Sequence, residues 1–290
     1  MLRAEAVSGD AGLVSRLHAG GFRARVHSVF QRVVNLECAT TGRLYTLACA
    51  GVDNAPSTLV LDARTFGNSG VRPGARVECD GRTLVSESAL AVSLARAKPW
   101  VATLPEWPSG DMPVLWLREL IDRCGTRGGI KRGPAPEPPY EAHLTRRIGD
   151  ATSSLKAALQ AGELSAAYEH GTRLIGLGRG LTPAGDDYLV GLSTICSVPG
   201  SPVGRLRPVM ARLVRDSADR TNDISHAAMA HAIEGRVRES IAELVDAMAR
   251  DDDAGMQRWG EQVIGIGATS GTDILAGMLA GLELSEAERN

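Results

Sequence analysis

The sequence predicts an α+β protein, in which a small β-barrel or sandwich-like domain precedes an α-helical domain with two glycine-rich loops that lead into helices. Short β-branched and apolar runs, separated by turn signals, fill the N-terminal third of the chain. From Tyr140 onward, apolar residues recur at three- and four-residue spacing, which is typical of helices. A glycine-rich segment with acidic residues precedes a helical pattern twice in this second part.

The composition argues against several classes of function. The 290 residues can bury a substantial core, and the net charge of −2 gives no basic field for nucleic acid. Aromatic residues make up only 4%, too few for a platform that stacks single strands. The five cysteines are dispersed and form no CxxC pair, which favours reduced thiols in a cytoplasmic protein. We find neither an apolar signal core at the start nor an uncharged stretch of membrane-spanning length, so no membrane contact is expected.

The β-rich domain is predicted over residues 1–105. Within it, strand-like runs lie on either side of a Thr-Thr-Gly turn in the segment 24–51, and a further apolar run covers 57–62. Asp80-Gly81 lies between two apolar runs and is a strong hairpin signal. Several short strands at close spacing indicate a small barrel or sandwich.

A helix followed by a Pro/Gly-rich linker is predicted over residues 106–139. Asp111 is the expected N-cap of the helix, and Gly125 is its expected C-terminal stop. The segment after Gly125 is too rich in glycine and proline for regular structure. The α-helical domain is predicted over residues 140–290.

The segment Gly176–Gly191, "GLGRGLTPAGDDYLVG", has the glycine spacing of a phosphate loop but lacks the residues with which such a loop binds phosphate. Gly180 and Gly185 have the expected spacing, but Asp186 and Asp187 replace the Lys-Ser/Thr that such a loop requires. The preceding run looks helical, whereas a dinucleotide fingerprint follows a strand. We therefore expect no nucleotide or flavin cofactor.

The same segment predicts the start of a helix. Thr182 is the expected N-cap, Pro183 suits the first helical position, and both aspartates fall in or just after the first turn. The free N–H groups of this helix would then face the glycine loop. The alternative is that these residues only begin a helix, since acidic side chains are favourable at its positive end. Three glycines of this segment before the cap exceed that need, because each costs conformational entropy.

A related pattern recurs at Val263–Gly281. "LIGLG" aligns with "VIGIG" and "GDDYLVGL" with "GTDILAGM", and the first copy has three more residues between them. The alignment pairs Asp187 with Asp273 and Gly191 with Gly277. We infer two glycine loops, each opening a helix, whose aspartates face a shared cleft. The alternative is that the last glycines of each copy only allow close helix packing.

A third segment, "RTNDIS", supplies polar side chains. Arg220 can pair bidentately with a carboxylate or phosphate, and Thr221 and Ser225 add hydroxyl donors. The alternative is that Arg220 ends one helix while Thr221 or Asn222 caps the next.

These three segments, in this order after a β-rich part, resemble the AllH family over nearly the full length of the chain. That family includes a subunit of the oxamate carbamoyltransferase of anaerobic allantoin breakdown, a branch of purine and nitrogen metabolism. The resemblance implies phosphorolysis of oxalurate to oxamate and carbamoyl phosphate, in a complex with two other carbamoyltransferase subunits. The family pattern has proline at the position of Arg179, serine at that of Ala184 and histidine at that of Ala268, so the chain departs from it there.

The residues and the resemblance together predict a site for a small anionic or amide-bearing substrate. Asp187 and Asp273 are the expected catalytic residues, with Asp186 secondary. Two roles for the acids stay open. Asp186 and Asp187 could hold Mg²⁺ together with substrate oxygens, or an aspartate could accept hydrogen bonds from a carbamoyl or amide nitrogen. The expected substrate-binding residues are Gly178, Gly180, Thr182, Gly185, Arg220, Thr221, Ser225, Thr269, Ser270 and Gly271.

Three functions remain open on the sequence. The chain is an enzyme subunit active only within a hetero-oligomer, a small-anion-binding or regulatory module without turnover, or a structural subunit whose loops only pack helices. No cysteine or serine stands out as a nucleophile. Carbamoyl transfer does not require one, since positioning and charge stabilisation can carry it.

Overall fold

The computed structural model of the chain describes residues 1–87, 89–132 and 138–289. They form two compact units, Met1–Ala102 and Thr103–Asn290. The first unit contains the strands and the second contains most of the helices, which confirms the predicted α+β class. No helix in the described part of the chain is both long enough and apolar enough to cross a membrane.

The N-terminal unit is a closed β-barrel. Its strands are β1 (Leu2–Asp10), β2 (Phe22–Val29), β3 (Val33–Cys38), β4 (Leu44–Ala48), β5 (Thr58–Leu61), β6 (Arg76–Cys79), β7 (Thr83–Ser86), β8 (Leu90–Ser93) and β9 (Lys98–Trp100). The order β5-β4-β3-β2-β6-β7-β8-β1 closes because β1 also pairs antiparallel with β5, and β9 extends β1 in parallel. Alternate residues of β2 (Phe22, Ala24 and Val26) are buried in the barrel core, as the period of a strand requires.

Local sequence signals predicted one hairpin of this unit but not its short helix. The Asp80-Gly81 hairpin is confirmed, since β6 and β7 pair antiparallel and the Asp80 carboxylate accepts from the Arg82 and Thr83 N–H groups at 2.8 Å. A short helix, α1 (Ala11–His18), was missed by the sequence analysis. It is capped by Asp10, whose side chain accepts from the Leu13 N–H at 3.0 Å.

Helices make up most of the described part of the C-terminal unit. Its helices are α2 (Val114–Cys124), α3 (Pro139–Gln160), α4 (Leu164–Leu174), α5 (Ala184–Ser197), a 3-10 turn (Pro202–Leu206), α6 (Arg207–Arg215), α7 (Asp223–Ile233), α8 (Glu239–Ala249), α9 (Asp253–Ile264) and α10 (Ser270–Arg289). Every residue of α5 is buried, and α5 packs most extensively against α10. These two helices form the centre of the unit.

The two copies of the sequence pattern correspond to two similar three-helix segments, α3-α4-α5 and α8-α9-α10. In each copy the helix before the loop packs on its predecessor, and the third helices α5 and α10 cross each other. The crossing is made by Gly191 and Gly277. A Cβ on Gly191 would overlap the backbone carbonyl of Ile274, and a Cβ on Gly277 would overlap that of Tyr188. Close helix packing is therefore one reason for these glycines.

The predicted N-cap of α2 is wrong. The helix begins after Pro113 without a side-chain cap, and the Asp111 carboxylate instead forms an ion pair with the Arg289 guanidinium at 2.8 Å. Gly125 does end the helix, since its N–H donates to the carbonyl of Ile121 at 2.9 Å. Of the predicted linker, residues 125–132 are irregular, whereas 133–137 lie outside the described residues.

Candidate functional site

The two aspartates of the repeat lie at equivalent points, at the start of the central helices. α5 begins at Ala184 and α10 at Ser270, so Asp187 and Asp273 are each the fourth residue of their helix. Both are buried, with 5% and 0% of their surfaces exposed. The charge of Asp273 is one of the influences that raise the pKa of Asp187.

A hydrogen bond joins the two loops that lead into these helices. The hydroxyl groups of Thr182 and Ser270 lie 2.8 Å apart. The sequence predicted Thr182 as the N-cap of α5, but Thr182 does not cap this helix. Pro183 occupies the N-cap position with extended backbone and gives no side-chain cap. The prediction is wrong because the Thr182 hydroxyl is used between the loops.

Each aspartate keeps one buried oxygen without a hydrogen-bond partner among the described residues, Oδ2 of Asp187 and Oδ2 of Asp273. The other oxygen of Asp273 accepts from the Ile130 N–H at 2.7 Å. An unpaired buried polar atom is costly, and in a native protein it calls for an explanation. These two oxygens lie at equivalent positions of the repeat.

The surroundings give the carboxyl groups of Asp187 and Asp273 different pKa values. Burial raises the pKa of Asp187 to about 8; the Ser270 and Thr182 hydroxyls oppose this rise, and the charges of Asp273 and Asp186 add to it. Burial also raises the pKa of Asp273, but only to about 6, since the Ile130 N–H and the Thr269 hydroxyl stabilise its carboxylate. Near neutral pH the pair therefore holds one proton, carried mainly by Asp187.

Asp186 has a different position from its neighbour. Its Oδ1 accepts from the Gly176 N–H at 2.7 Å, and its Oδ2 accepts from the Thr221 hydroxyl. Burial raises the pKa of Asp186, and these hydrogen bonds oppose the rise. Asp186 therefore ties the first glycine loop to the start of the Thr221 segment.

The predicted Mg²⁺ site on Asp186 and Asp187 fits this donor set poorly. Both oxygens of Asp186 already have partners, so only Asp187 offers an unpaired oxygen to a cation. Within the described ranges, no group of three or more His, Cys, Asp or Glu side chains is arranged to hold a metal ion. Asp186 is better placed to position the loop than to bind a ligand.

Most of the predicted substrate-binding glycines serve close backbone packing. A Cβ on Gly185 would overlap the carbonyl of Leu174. In the second copy, a Cβ on the equivalent Gly271 would overlap the carbonyl of Val263, which is equivalent to Leu174. Gly178, at φ +150°, lies against the backbone nitrogen of Ala184. Gly180 differs, because it is exposed with φ +84° and has open space beside it.

The expected row of free N–H groups at the start of α5 is absent from the described structure. The Gly185 N–H donates to the Leu177 carbonyl at 2.8 Å, and those of Asp186 and Asp187 donate to the Pro183 carbonyl at 2.9 and 3.1 Å. The second copy repeats the pattern, since the Gly271 and Asp273 N–H groups are likewise paired with loop carbonyls. The described structure shows no hydrogen bond from the backbone N–H groups of residues 267–270 to another part of the chain.

In the "RTNDIS" segment the prediction of an N-cap is correct, but Arg220 does not end a helix, since α6 ends at Arg215. Asn222 caps α7, accepting from the N–H groups of Ile224 and Ser225 at 3.1 Å. The Thr221 hydroxyl is committed to Asp186, and Ser225 is buried beside that same carboxylate. Arg220 is exposed, and its carbonyl packs against Gly176.

A segment between α2 and α3 also lies against the site, and the sequence analysis did not predict its position there. The Thr126 N–H donates to the Thr272 hydroxyl at 2.7 Å, and the Ile130 N–H donates to Asp273. Gly129 lies so close that a Cβ there would overlap both oxygens of Asp273. The Gly-Gly pair within this segment was the one local signal, since a glycine often marks a close backbone approach.

Two protein-family models match the chain. The model for oxamate carbamoyltransferase subunit AllH matches residues 174–282, a range that holds both glycine loops and both aspartates. The model for the AllH family N-terminal domain matches residues 5–99, which make up nearly all of the barrel unit. No solved structure matches the chain.

Proposed function

Because the chain belongs to the AllH family, we propose that it is the AllH-like subunit of a carbamoyltransferase complex acting on oxalurate, oxamate and carbamoyl phosphate. The observation that carries this proposal is the pair of buried unpartnered oxygens, Asp187 Oδ2 and Asp273 Oδ2. A site that leaves one acid and one carboxylate facing a ligand suits an amide, which has a carbonyl acceptor and N–H donors. The ligand's amide or carbamoyl group pairs with both oxygens.

The two aspartates take complementary roles toward that group. Asp187, protonated near neutral pH, donates a hydrogen bond to an oxygen or nitrogen acceptor of the ligand. Asp273, ionised above about pH 6, accepts a hydrogen bond from an N–H or from phosphate. A second carboxylate in place of the amide would meet Asp273 as a like charge, so the pair selects amides over acids of similar shape.

The proposed reaction needs one proton to move between these groups. A phosphate oxygen attacks the ureido carbonyl carbon of oxalurate, and the bond from that carbon to the oxamate nitrogen breaks. Hydrogen phosphate gives its proton to Asp273, and the departing nitrogen, which keeps the bonding electron pair, takes a proton from Asp187. Charge and protons balance, and transfer of a proton from Asp273 to Asp187 restores the pair. General acid–base assistance of this kind contributes on the order of 10²–10⁴-fold in rate.

The anionic end of the substrate has donors in the second glycine loop. The N–H groups of residues 267–270 are unpaired in the described structure and precede Asp273 by a few residues. A run of backbone N–H groups at a helix start binds carboxylate or phosphate. Ala268 lacks the histidine of the family pattern, so the proposed anion contact in this chain depends on backbone donors.

The test of this proposal is an assay on the complex purified with its partner subunits. Oxalurate and phosphate are supplied, and carbamoyl phosphate is measured with wild-type chain, Asp187→Asn and Asp273→Asn. We expect each variant to lose at least about 10²-fold in rate. Asp150→Asn, at an exposed aspartate of α3, is the matched control and should keep wild-type activity. Full activity of both site variants would contradict the proposal.

Two other functions are candidates. The first is a small-anion-binding or regulatory module without turnover, and the second is a structural subunit. The unpaired N–H groups of residues 267–270 favour the binding module, and the tight crossing of α5 and α10 is all that a structural subunit requires. Both candidates predict that Asp187→Asn leaves phosphorolysis intact. The binding module alone predicts that oxamate or carbamoyl phosphate raises the melting temperature of the isolated chain.

A further inference from the structure

The repeat places Asp187 and Asp273 at equivalent positions, but their hydrogen bonds are not equivalent. The Asp273 carboxylate accepts a backbone N–H from Ile130, a residue outside both copies of the repeat. Asp187 has only hydroxyl groups of the loops, Thr182 and Ser270, acting on it as donors. Part of the difference between the two halves therefore comes from the segment between α2 and α3.

That segment, Thr126–Lys131, is called the strap below, and it is fastened at both ends. At one end the Lys131 ammonium donates to the carbonyls of Ile121 and Asp122 at 2.7 and 2.6 Å, near the end of α2. Toward the other end the Thr126 N–H donates to the Thr272 hydroxyl on α10. A turn closed by the Gly128 N–H and the Lys131 carbonyl, 2.9 Å apart, lies between them. These bonds hold the Ile130 N–H against Asp273.

We propose that the strap is a positioning element of the site, which fixes Asp273 as the hydrogen-bond acceptor of the pair and so leaves Asp187 as the donor. The Ile130 N–H donates to Oδ1 of Asp273, which leaves Oδ2 as the oxygen without a hydrogen-bond partner among the described residues. The strap is the contribution to this difference that comes from outside both copies of the repeat. The roles given to them in the proposed reaction rest on this asymmetry, whereas the asymmetry itself needs no ligand.

Gly129 is the residue through which the strap can be tested. Its Cα lies against the Asp273 carboxyl group, so that a methyl group added there would overlap both oxygens. An alanine must displace either the strap or the carboxylate, and both movements break the Ile130 bond. A carboxylate that loses a backbone N–H donor becomes a weaker acid.

The groups that act on the pair are few. Asp187 faces Asp273 and Asp186 as titratable neighbours, and His226 acts on Asp186. Burial is the largest influence on both pKa values, and the loop hydroxyls of Thr182, Thr269 and Ser270 and the Ile130 N–H oppose it. Of these, the Gly129 substitution removes only the contact from the strap.

The experiment is a carboxyl ¹³C NMR titration of the ligand-free full chain with labelled aspartate. Asp187→Asn and Asp273→Asn assign the two signals. In Gly129→Ala we expect the Asp273 titration to move upward on the order of one pH unit, the equivalent of one lost hydrogen bond. Gly149→Ala is the matched control, since a Cβ there meets no atom within 4 Å, and it should titrate like wild type.

A second variant covers the case in which Gly129→Ala does not fold. Thr272→Val keeps the shape of the side chain but removes the acceptor of the Thr126 N–H, so it loosens the strap from α10. We expect a smaller upward movement of the Asp273 titration. Unchanged Asp273 titration in the folded variants would overturn the proposal, whether or not the complex phosphorolyses oxalurate. Conversely, an inactive complex whose Asp273 titration responds as expected would contradict the proposed reaction and support the strap.

Discussion

Gly191 and Gly277 face each other reciprocally where α5 crosses α10. Each glycine packs on the backbone carbonyl of the residue three positions before the other, Ile274 for Gly191 and Tyr188 for Gly277. Such reciprocity is expected of two related segments arranged around an approximate two-fold axis. Asp187 and Asp273 each lie one turn before these glycines, so the two carboxyl groups occupy equivalent places relative to the crossing.

Substituting either crossing glycine should destabilise the C-terminal unit. In Gly191→Ala and Gly277→Ala the new methyl group overlaps main-chain atoms that cannot rotate away, so the helices must separate. We expect a loss of about 1–3 kcal/mol or more in each case. Urea unfolding measures this loss. Gly149→Ala, on α3 with open space beside it, should instead be neutral or gain up to about 1 kcal/mol. Losses that differ widely between the two variants would contradict the reciprocal packing.

The equivalent positions of Asp187 and Asp273 at the starts of α5 and α10 could be predicted from the sequence, because each aspartate keeps a fixed spacing from its glycines. The hairpin at Asp80-Gly81 and the start of α7 at Asn222 also follow from local turn and cap chemistry. Local rules failed at Thr182 and at Asp186, where distant residues bind the side chain instead.

The strap could not be predicted for a related reason. Ile130 and Asp273 are far apart in the chain, and the donor is a backbone N–H that any residue except proline would supply. Only Gly129 carries a side-chain requirement, and glycine in a segment rich in glycine and proline is not distinctive. The acidity of the pair is likewise a product of burial, which depends on tertiary packing.

Asp187 should make the protein less stable as the pH rises. Its pKa in the folded chain, about 8, is above the value of about 4 in an unfolded chain, so the folded state binds the proton more tightly. The stability that this proton provides is complete below about pH 4 and is lost as the pH rises through about 8. We expect the melting temperature of Asp187→Asn to fall less than that of wild type between about pH 5 and pH 9.

Asp150→Asn provides the control for this pH series, since Asp150 is exposed on α3. Its melting curve should run parallel to that of wild type. Asp273 keeps some slope below about pH 6 in the Asp187→Asn variant, because its own pKa is also raised by burial. A variant curve parallel to wild type over the whole range would show that Asp187 is not protonated in the folded chain.

Thr221→Val should loosen the first glycine loop. The substitution keeps the shape of the side chain but leaves Oδ2 of Asp186 without the hydroxyl that it accepts from. A buried acceptor that loses its donor costs about 1–3 kcal/mol, so we expect that loss in urea unfolding. Limited proteolysis should cut more readily near the exposed Leu181. Thr103→Val, at an exposed threonine, should change neither measurement. Wild-type stability of Thr221→Val would argue against Asp186 as the tie of this loop.

Binding of oxamate should depend on pH in a bell shape and should exceed binding of oxalate. The two ligands have similar shapes, but only oxamate offers an N–H to Asp273 together with an acceptor for Asp187. Binding should weaken below about pH 6, where Asp273 becomes protonated, and again above about pH 8, where Asp187 ionises. Calorimetry of the full chain across this range measures it. In Asp187→Asn the affinity for oxamate should no longer fall at high pH. In Asp150→Asn the affinity should still fall at both low and high pH. Equal affinity for oxamate and oxalate at every pH would show that the pair does not recognise an amide.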